Sequence, residues 1–209
     1  MPFPTNGMDV LGKLFGSPAR VKILRLFLFN PDSLYSRDEI SLRTQVAPHV
    51  ARSEVSLLVK TGMVKQKKIP KKARKKGGRS ASRARVPGFI LNPDFQYRTK
   101  LQDLLLNTPV HHEDLLKRLA RAGNLRLVII AGVFLQDWES RIDLLIVGDK
   151  LNRKKLTTII QRLEAEVGKE LRYVVLSTHE FRYRLGVYDR LVRDVLDYPH
   201  KKIFNKLSI

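Results

Sequence analysis

The chain contains no cysteine, which excludes structural disulfides, thiolate zinc sites and cysteine nucleophiles. Long hydrophobic runs are also missing. The longest largely apolar stretches, at 23–29 and 127–135, are far shorter than the roughly 20 residues of a membrane-spanning helix. The N-terminus, Met1-Pro2-Phe3-Pro4, lacks the charged start and apolar stretch of a signal peptide. We therefore expect a soluble, cytoplasmic protein with no membrane partner.

Acidic residues are absent from one segment, 63–85, which carries 11 basic side chains. This segment supplies more than half of the net charge of +20. A charge of this size indicates a polyanionic partner. Residues 70–85 have almost no apolar side chains, so they cannot bury surface by themselves. The segment is interpreted either as a solvated loop without a defined role or as a loop that becomes ordered on a phosphate backbone.

Capping signals and apolar spacing predict two helices before residue 45. The first begins at Pro18 and ends at Asn30, where the next residue is another proline. The second begins after Ser36, which with Glu39 has the spacing of a capping box. Leu42 is expected on the apolar face of this second helix.

A third predicted helix has a proline in its first turn and ends at Gly62, a C-terminal glycine signal. Its helical spacing directs one set of side chains toward the core: Ala51, Val55, Leu58 and Val59. The opposite side is polar, small and net positive, which suits entry into a major groove. The candidate DNA-binding residues on this side are Pro48, His49, Arg52, Ser53 and Ser56.

A β-hairpin is predicted after the third helix, with one strand beginning at Met63 and the return strand running from Val86 to Leu91. Three helices and a hairpin predict a winged helix–turn–helix over residues 1–93, with its wing at 65–85. Basic wing residues bind phosphates and release counterions. The candidate wing contacts are Lys65, Lys67, Lys68, Lys71, Lys72, Arg74, Lys75, Lys76, Arg79, Arg83 and Arg85.

The runs ARVKILRLF, YSRDEI, VAPHVARSEVSLLVKTGMV and GFILNPDF resemble ArsR-like winged-helix regulators over roughly the first 95 residues. The resemblance implies a DNA-binding transcriptional regulator whose third helix lies in the major groove. The wing is longer and far more basic than is usual in this group, and such a wing binds any duplex. A homodimer is expected because winged helices read paired half-sites.

The second half is predicted as a small α/β domain over 125–209, joined by helices over 94–124, so the chain belongs to the α+β class. A predicted strand from Leu127 to Ala131 leads into Gly132-Val133, and a later run from Ser140 to Gly148 carries Arg141 and Asp143. These runs resemble the minimal nucleotidyltransferase domain. In that family, Gly-Ser contacts the triphosphate and Asp-x-Asp holds Mg²⁺.

The resemblance implies that this motif is degenerate. Val133 stands where the family has serine, Arg141 replaces the first carboxylate, and Asp143 matches the second. Because a Mg²⁺ ligand is replaced by a cation, we hypothesise a pseudoenzyme without a cofactor or a metal, which serves ligand sensing or oligomerisation. Arg141 and Asp143, two positions apart on a predicted strand, are expected to pair.

Other possible metal ligands lack suitable spacing. His111 and His112 are adjacent and point in different directions on a helix. Near the degenerate motif, none of the further acids stands at the family's spacing: Asp137, Glu139 and Asp149.

The favoured interpretation is a DNA-binding regulator that is not an enzyme. The alternatives are an active nucleotidyltransferase targeted by its winged helix and a sequence-tolerant RNA- or nucleoid-binding protein.

Overall fold

A computed structural model of the chain describes residues 7–70, 85–106 and 112–208. Its helices and two small sheets make the protein a member of the α+β class, as the sequence predicts. The described residues divide into two compact units. The N-terminal unit holds 8–70, 85–106 and 165–169, and the C-terminal unit holds 112–164 and 170–208. The division falls inside the range 94–124, for which the sequence predicts connecting helices.

The N-terminal unit combines helices with one antiparallel sheet in the order β1-β3-β2. The elements are α1 (Gly7–Leu14), α2 (Pro18–Phe29), β1 (Tyr35–Ser36), α3 (Arg37–Thr44), α4 (Pro48–Lys60), β2 (Val64–Pro70), β3 (Arg85–Leu91) and α5 (Arg98–Leu106). Strands β2 and β3 form the predicted hairpin, which is in register from Val64 opposite Leu91 to Pro70 opposite Arg85.

Local capping explains where α2 and α3 begin. The Ser17 hydroxyl accepts the backbone N–H of Arg20 at 3.2 Å, and Pro18 follows as the first helical residue. At α3, the Ser36 hydroxyl accepts the Glu39 N–H, while the Glu39 carboxylate accepts the Ser36 N–H at 2.9 Å. The predicted capping box is therefore confirmed.

The core of the N-terminal unit is formed mainly by α2 together with α3, α4 and β3. Phe27, Ile40 and Phe89 are among its fully buried side chains. Leu42 is 78% exposed, so the prediction that it lies on the apolar face of α3 is wrong. Leu42 stands two positions after the buried Ile40, about 200° around the helix, and so it points away from the core.

The C-terminal unit contains a mixed sheet in the order β6-β5-β4-β7. Its elements are α6 (His112–Ala120), β4 (Asn124–Ile130), a short 3-10 helix (Gly132–Leu135), β5 (Leu144–Asp149), α7 (Arg153–Val167, of which 165–167 belong to the N-terminal unit), β6 (Tyr173–Leu176), α8 (Thr178–Gly186), α9 (Arg190–Asp197) and β7 (Lys201–Asn205). Strand β5 pairs with β6 in parallel and with β4 antiparallel. The edge strand β7 was not predicted, because its sequence begins with two lysines and shows no clear alternation.

The two central strands of this sheet are buried on both faces. Leu127 and Leu145 lie in one hydrophobic cluster, and Val128 and Ile146, whose side chains point the other way, are also fully buried. The degenerate motif flanks these strands, since Gly132 and Val133 follow β4 and Arg141 and Asp143 precede β5. Within the described residues, no helix combines the length and the hydropathy that a bilayer crossing requires.

Candidate functional site

A tight turn between α3 and α4 determines where α4 begins. Gln45 adopts a left-handed conformation (φ 50°), and its N–H bonds to the carbonyls of Leu42 and Ser41. The Ser41 hydroxyl donates to the carbonyl of Val46 at 2.7 Å, and the Val46 side chain is buried. These contacts anchor the turn on both sides, so that α4 begins at Pro48.

Helix α4 has one buried side and one exposed side, as its spacing predicts. Ala51, Val55 and Leu58 are buried, and Val59 is partly buried. The candidate contact residues lie opposite, where Pro48, His49, Arg52 and Ser53 are exposed and Ser56 is partly buried. At about 100° per residue, these five positions share about 140° of the helix circumference. The structure therefore brings them together on one surface, which we call the α4 face.

The single acidic residue of α4 is withdrawn from the α4 face. Glu54 is buried, and its carboxylate accepts the Nε of Arg20 at 2.7 Å. Arg20 is itself held by a further hydrogen bond to the carbonyl of Phe15, also 2.7 Å long. Because α4 is described in full, its exposed formal charges are those of Arg52 and Lys60, and both are positive.

The N-terminal end of α4 has no side-chain cap. The capping position is Ala47, which offers no oxygen, and the first turn contains no acidic residue. Pro48 has no N–H, so the amides that follow it in the first turn carry the partial positive charge of the helix end. Such an end attracts phosphate oxygens.

The hairpin adds exposed lysines on β2. Lys65, Lys67 and Lys68 are all exposed, and the Lys65 ammonium lies 2.8 Å from Asp94 Oδ2. The charge of Lys65 is thus partly compensated, whereas no ion pair of Lys67 or Lys68 is seen among the described residues. Arg85 begins β3 opposite Pro70. The other candidate wing contacts lie outside the described residues: Lys71, Lys72, Arg74, Lys75, Lys76, Arg79 and Arg83.

Asp143 lies just before β5, buried and bound on both oxygens. Its Oδ1 accepts the Val133 N–H at 2.9 Å, and its Oδ2 accepts the Arg172 N–H at 2.8 Å. The Arg172 guanidinium is 3.3 Å from Oδ2. The Asp143 side chain has no exposed surface. A carboxylate held in this way has little capacity left to bind a metal ion.

Gly132 lies against the same carboxylate. Its φ is +51°, and a Cβ at this position would collide with Asp143 Oδ1. The left-handed conformation favours glycine, and the collision requires it. The close approach of Asp143 is therefore a sufficient reason for glycine at this position, without any triphosphate.

Arg141 does not contact Asp143. Its Nη1 lies 3.0 Å from Asp194 Oδ2 in α9. The prediction that Arg141 and Asp143 pair as strand neighbours is wrong, because β5 begins only at Leu144 and Asp143 is paired with Arg172.

Two of the other acids near the motif, Asp137 and Asp149, also accept hydrogen bonds. Asp137 accepts the N–H of Glu139 at 3.2 Å. Asp149, at the end of β5, accepts the hydroxyl of Thr178 at 2.8 Å and its N–H at 3.1 Å, and Arg126 Nε lies 3.4 Å away. The hydroxyl bond from Thr178, followed by its N–H and by Arg126, holds the pKa of the Asp149 carboxyl below its usual value.

No metal-binding cluster of three or more His, Asp or Glu side chains occurs in the described part of the chain. His112 begins α6 beside Glu113 and Asp114, while His111 lies outside the described residues.

Three residues that complete these sites were not predicted from the sequence: Arg20, Glu54 and Arg172. Glu54 is paired with Arg20, 34 positions away, and Asp143 with Arg172, 29 positions away. Glu54 had a local signal, since it precedes the core residue Val55 on the apolar side of α4, where a charge needs a partner. Arg172 had no local signal, because only the assembled sheet brings it to Asp143.

Comparison with known proteins provides no relative for this chain. No protein-family model, no curated protein and no solved structure matches it.

Proposed function

We propose that the chain binds double-stranded DNA through its N-terminal unit and acts as a transcriptional regulator. The observation that carries this proposal is the α4 face. It presents His49 and Arg52 among small polar residues, while the one carboxylate of the helix, Glu54, is buried against Arg20. A helix that exposes an arginine and buries its acid matches the acceptor-rich guanine edges and phosphates of a duplex.

The order of the elements supports the interpretation as a winged helix–turn–helix. Helices α2, α3 and α4 are followed by the hairpin β2–β3. In such an arrangement α4 is the recognition helix, and its N-terminal turns reach the base edges. Arg52 and His49 lie in these turns and are the proposed base contacts, while Ser53 and Ser56 are short enough to permit close approach.

Phosphate contacts come from two places in this proposal. The uncapped amides at the start of α4 receive one phosphate. Lys67 and Lys68 on β2 contact the backbone beside the groove, and Lys65 contributes less because Asp94 already neutralises part of its charge. These contacts supply affinity, whereas the α4 face supplies the choice of sequence.

We infer that the C-terminal unit is not a catalyst. The nucleotidyltransferase resemblance implies Mg²⁺ held by two carboxylates, and the residues present do not fit this ion. The first carboxylate is replaced by Arg141, and Asp143 is buried with donors on both oxygens. We therefore assign no step to a metal, and propose ligand sensing or association of two copies as the role of the unit.

Anisotropy of a labelled duplex of random sequence, titrated with the full chain at several salt concentrations, tests the binding proposal. We expect the logarithm of affinity to fall with the logarithm of salt concentration, with a slope of about −0.9 per phosphate contact. The double variant Lys67→Gln with Lys68→Gln should make this negative slope shallower by about 1.8 and weaken binding to all duplexes alike.

A matched control is Lys154→Gln with Lys155→Gln, which removes two exposed charges from α7 and should leave the slope unchanged. Tighter binding to single-stranded RNA than to the duplex would contradict the proposal and favour the sequence-tolerant alternative. The absence of measurable duplex binding would contradict it outright.

Incubation with Mg²⁺ and labelled nucleoside triphosphates tests the inactivity of the C-terminal unit. We expect no transfer of label to protein or nucleic acid. Metal-dependent transfer that disappears in Asp143→Asn would defeat the pseudoenzyme proposal.

A further inference from the structure

A groove opens in the C-terminal unit between α6 and the strands β4 and β7. Its volume is about 610 Å³, within the range of small-molecule sites. Leu116 from α6, Leu125 from β4 and Phe204 from β7 give it an apolar lining. The groove lies at the beginning of β4, whereas Gly132 follows its end, and a strand of this length spans about 20 Å. It is therefore separate from the Asp143 centre, by which we mean Asp143 with its neighbours Gly132, Val133 and Arg172.

Three cations line this groove, and none of its described lining residues is acidic. Lys117 and Lys206 are exposed, and the Lys206 ammonium lies 5.5 Å from the ring centroid of Phe204, above apolar surface. The third cation, Arg126, touches Asp149 only at 3.4 Å, and both side chains are partly exposed, so this pair is weak. An anion in the groove would thus meet three positive charges beside an apolar surface.

Irregular strand pairing positions Arg126. The pairing of β4 with β5 shifts register between Leu125 and Leu127, which makes Arg126 the extra residue of a β-bulge. Its carbonyl accepts the N–H of Lys206 at 2.7 Å, so the main chains that carry two of the three cations are linked. Bulges redirect side chains and are frequent beside functional sites. The sheet therefore determines where the main chain places Arg126 and Lys206, while Lys117 comes from α6.

We propose that this groove binds a small organic anion, in which a carboxylate, sulfonate or phosphate group is attached to an aromatic or branched apolar body. The charged group contacts Lys117, Arg126 and Lys206, and the body packs against Leu116 and Phe204. A nucleic-acid backbone would make no apolar contact with this lining. A concave space of this size holds a small molecule rather than the surface of a bilayer. The site uses C-terminal residues alone, so it stands independently of the DNA-binding proposal.

Titration of the full chain with 8-anilinonaphthalene-1-sulfonate tests the site, because this probe joins an aromatic body to a sulfonate. We expect the unmodified chain to bind the probe saturably. In the double variant Arg126→Gln with Lys206→Gln, each cation removed should weaken this binding about fivefold. The charge-matched control, Lys154→Gln with Lys155→Gln, should keep the affinity of the unmodified chain. Duplex binding should be the same in the groove variant and the unmodified chain, so the two proposals fail separately.

Two variants at Ala120, an exposed lining residue at the end of α6, separate charge from shape. Ala120→Glu should lose affinity for the probe, and Ala120→Gln should retain it, while both keep the urea transition of the unmodified chain. The uncharged analogue N-phenyl-1-naphthylamine and inorganic sulfate should each bind roughly fivefold or more weakly. Equal affinity in the double arginine–lysine variant, or equal binding of the uncharged analogue, would overturn the proposal.

Discussion

The α4 face and the Asp143 centre differ in what their polar groups already bind. His49 and Arg52 are exposed on α4, whereas Asp143 is buried and accepts hydrogen bonds from Val133 and Arg172. A polar group that is satisfied inside the fold supports that fold, and an exposed one is available to a partner. Substitutions at Asp143 should therefore change folding, and substitutions on the α4 face should change binding.

Asp143→Ala should have the largest effect. It leaves the N–H groups of Val133 and Arg172 without their acceptor and removes the partner of the Arg172 guanidinium. We expect the free energy of unfolding to fall by about 3 kcal/mol, measured by urea denaturation. Asp143→Asn retains an acceptor and should cost less. An alanine variant of unchanged stability would remove the contrast between the two regions.

Gly132→Ala should be next. The change places a Cβ against Asp143 at a residue with φ +51°, so we expect a loss of at least about 2 kcal/mol of unfolding free energy. Gly62→Ala is the matched control, because Gly62 has φ +76° but no atom near its missing Cβ, and its cost should be about 1 kcal/mol. Equal losses in the two variants would mean that contact with Asp143 does not constrain position 132.

Arg52→Ala should leave folding nearly unchanged and alter recognition. We expect the unfolding free energy to stay within about 0.5 kcal/mol. Discrimination at one base pair of a selected duplex should fall by about 1–3 kcal/mol, measured by competition between single-base variants. Lys154→Ala, on α7, removes the same charge and should leave discrimination intact. A uniform loss over all duplexes would assign Arg52 to phosphate contact instead.

The exposure of Asp149 is intermediate between that of Arg52 and that of Asp143, because its side chain is partly exposed and yet hydrogen-bonded to Thr178. These bonds hold the pKa of the Asp149 carboxyl below its ordinary value of 3.8. A carboxyl with a lowered folded-state pKa contributes stability above its unfolded-state pKa, and this stability is lost as the pH falls through the folded-state pKa. Thr178→Val should therefore move the pKa of Asp149 up toward 3.8 in an NMR titration. An unchanged pKa would show that the hydroxyl is not the cause.

Helices α2, α3 and α4 of the N-terminal unit could be predicted from the sequence because their signals are local, whereas α1 was not predicted. Ser36 and Glu39 are three positions apart, and the structure contains their capping box. Pro48 begins α4, and Gly62 follows its end, as expected. The placement of Arg52 on the exposed side follows from the same helical period.

The pairings that decide the roles of the two regions could not be predicted in this way. Arg20 meets Glu54, and Arg172 meets Asp143, only after distant segments have packed. A pattern that matches a carboxylate position predicts where the residue lies in the chain, but its burial and partners depend on the assembled sheet. For this reason the motif locates Asp143 correctly, whereas the partner that it predicts, Arg141, is wrong.

Selection of bound sequences from random duplex DNA by the full chain, in the presence of random RNA as competitor, tests the central claim most directly. We expect enrichment of a duplex motif by the unmodified chain and a loss of preference at one position of that motif with Arg52→Ala. Recovery of duplexes without any enriched motif, or preferential retention of the RNA, would contradict sequence-specific DNA recognition by the α4 face.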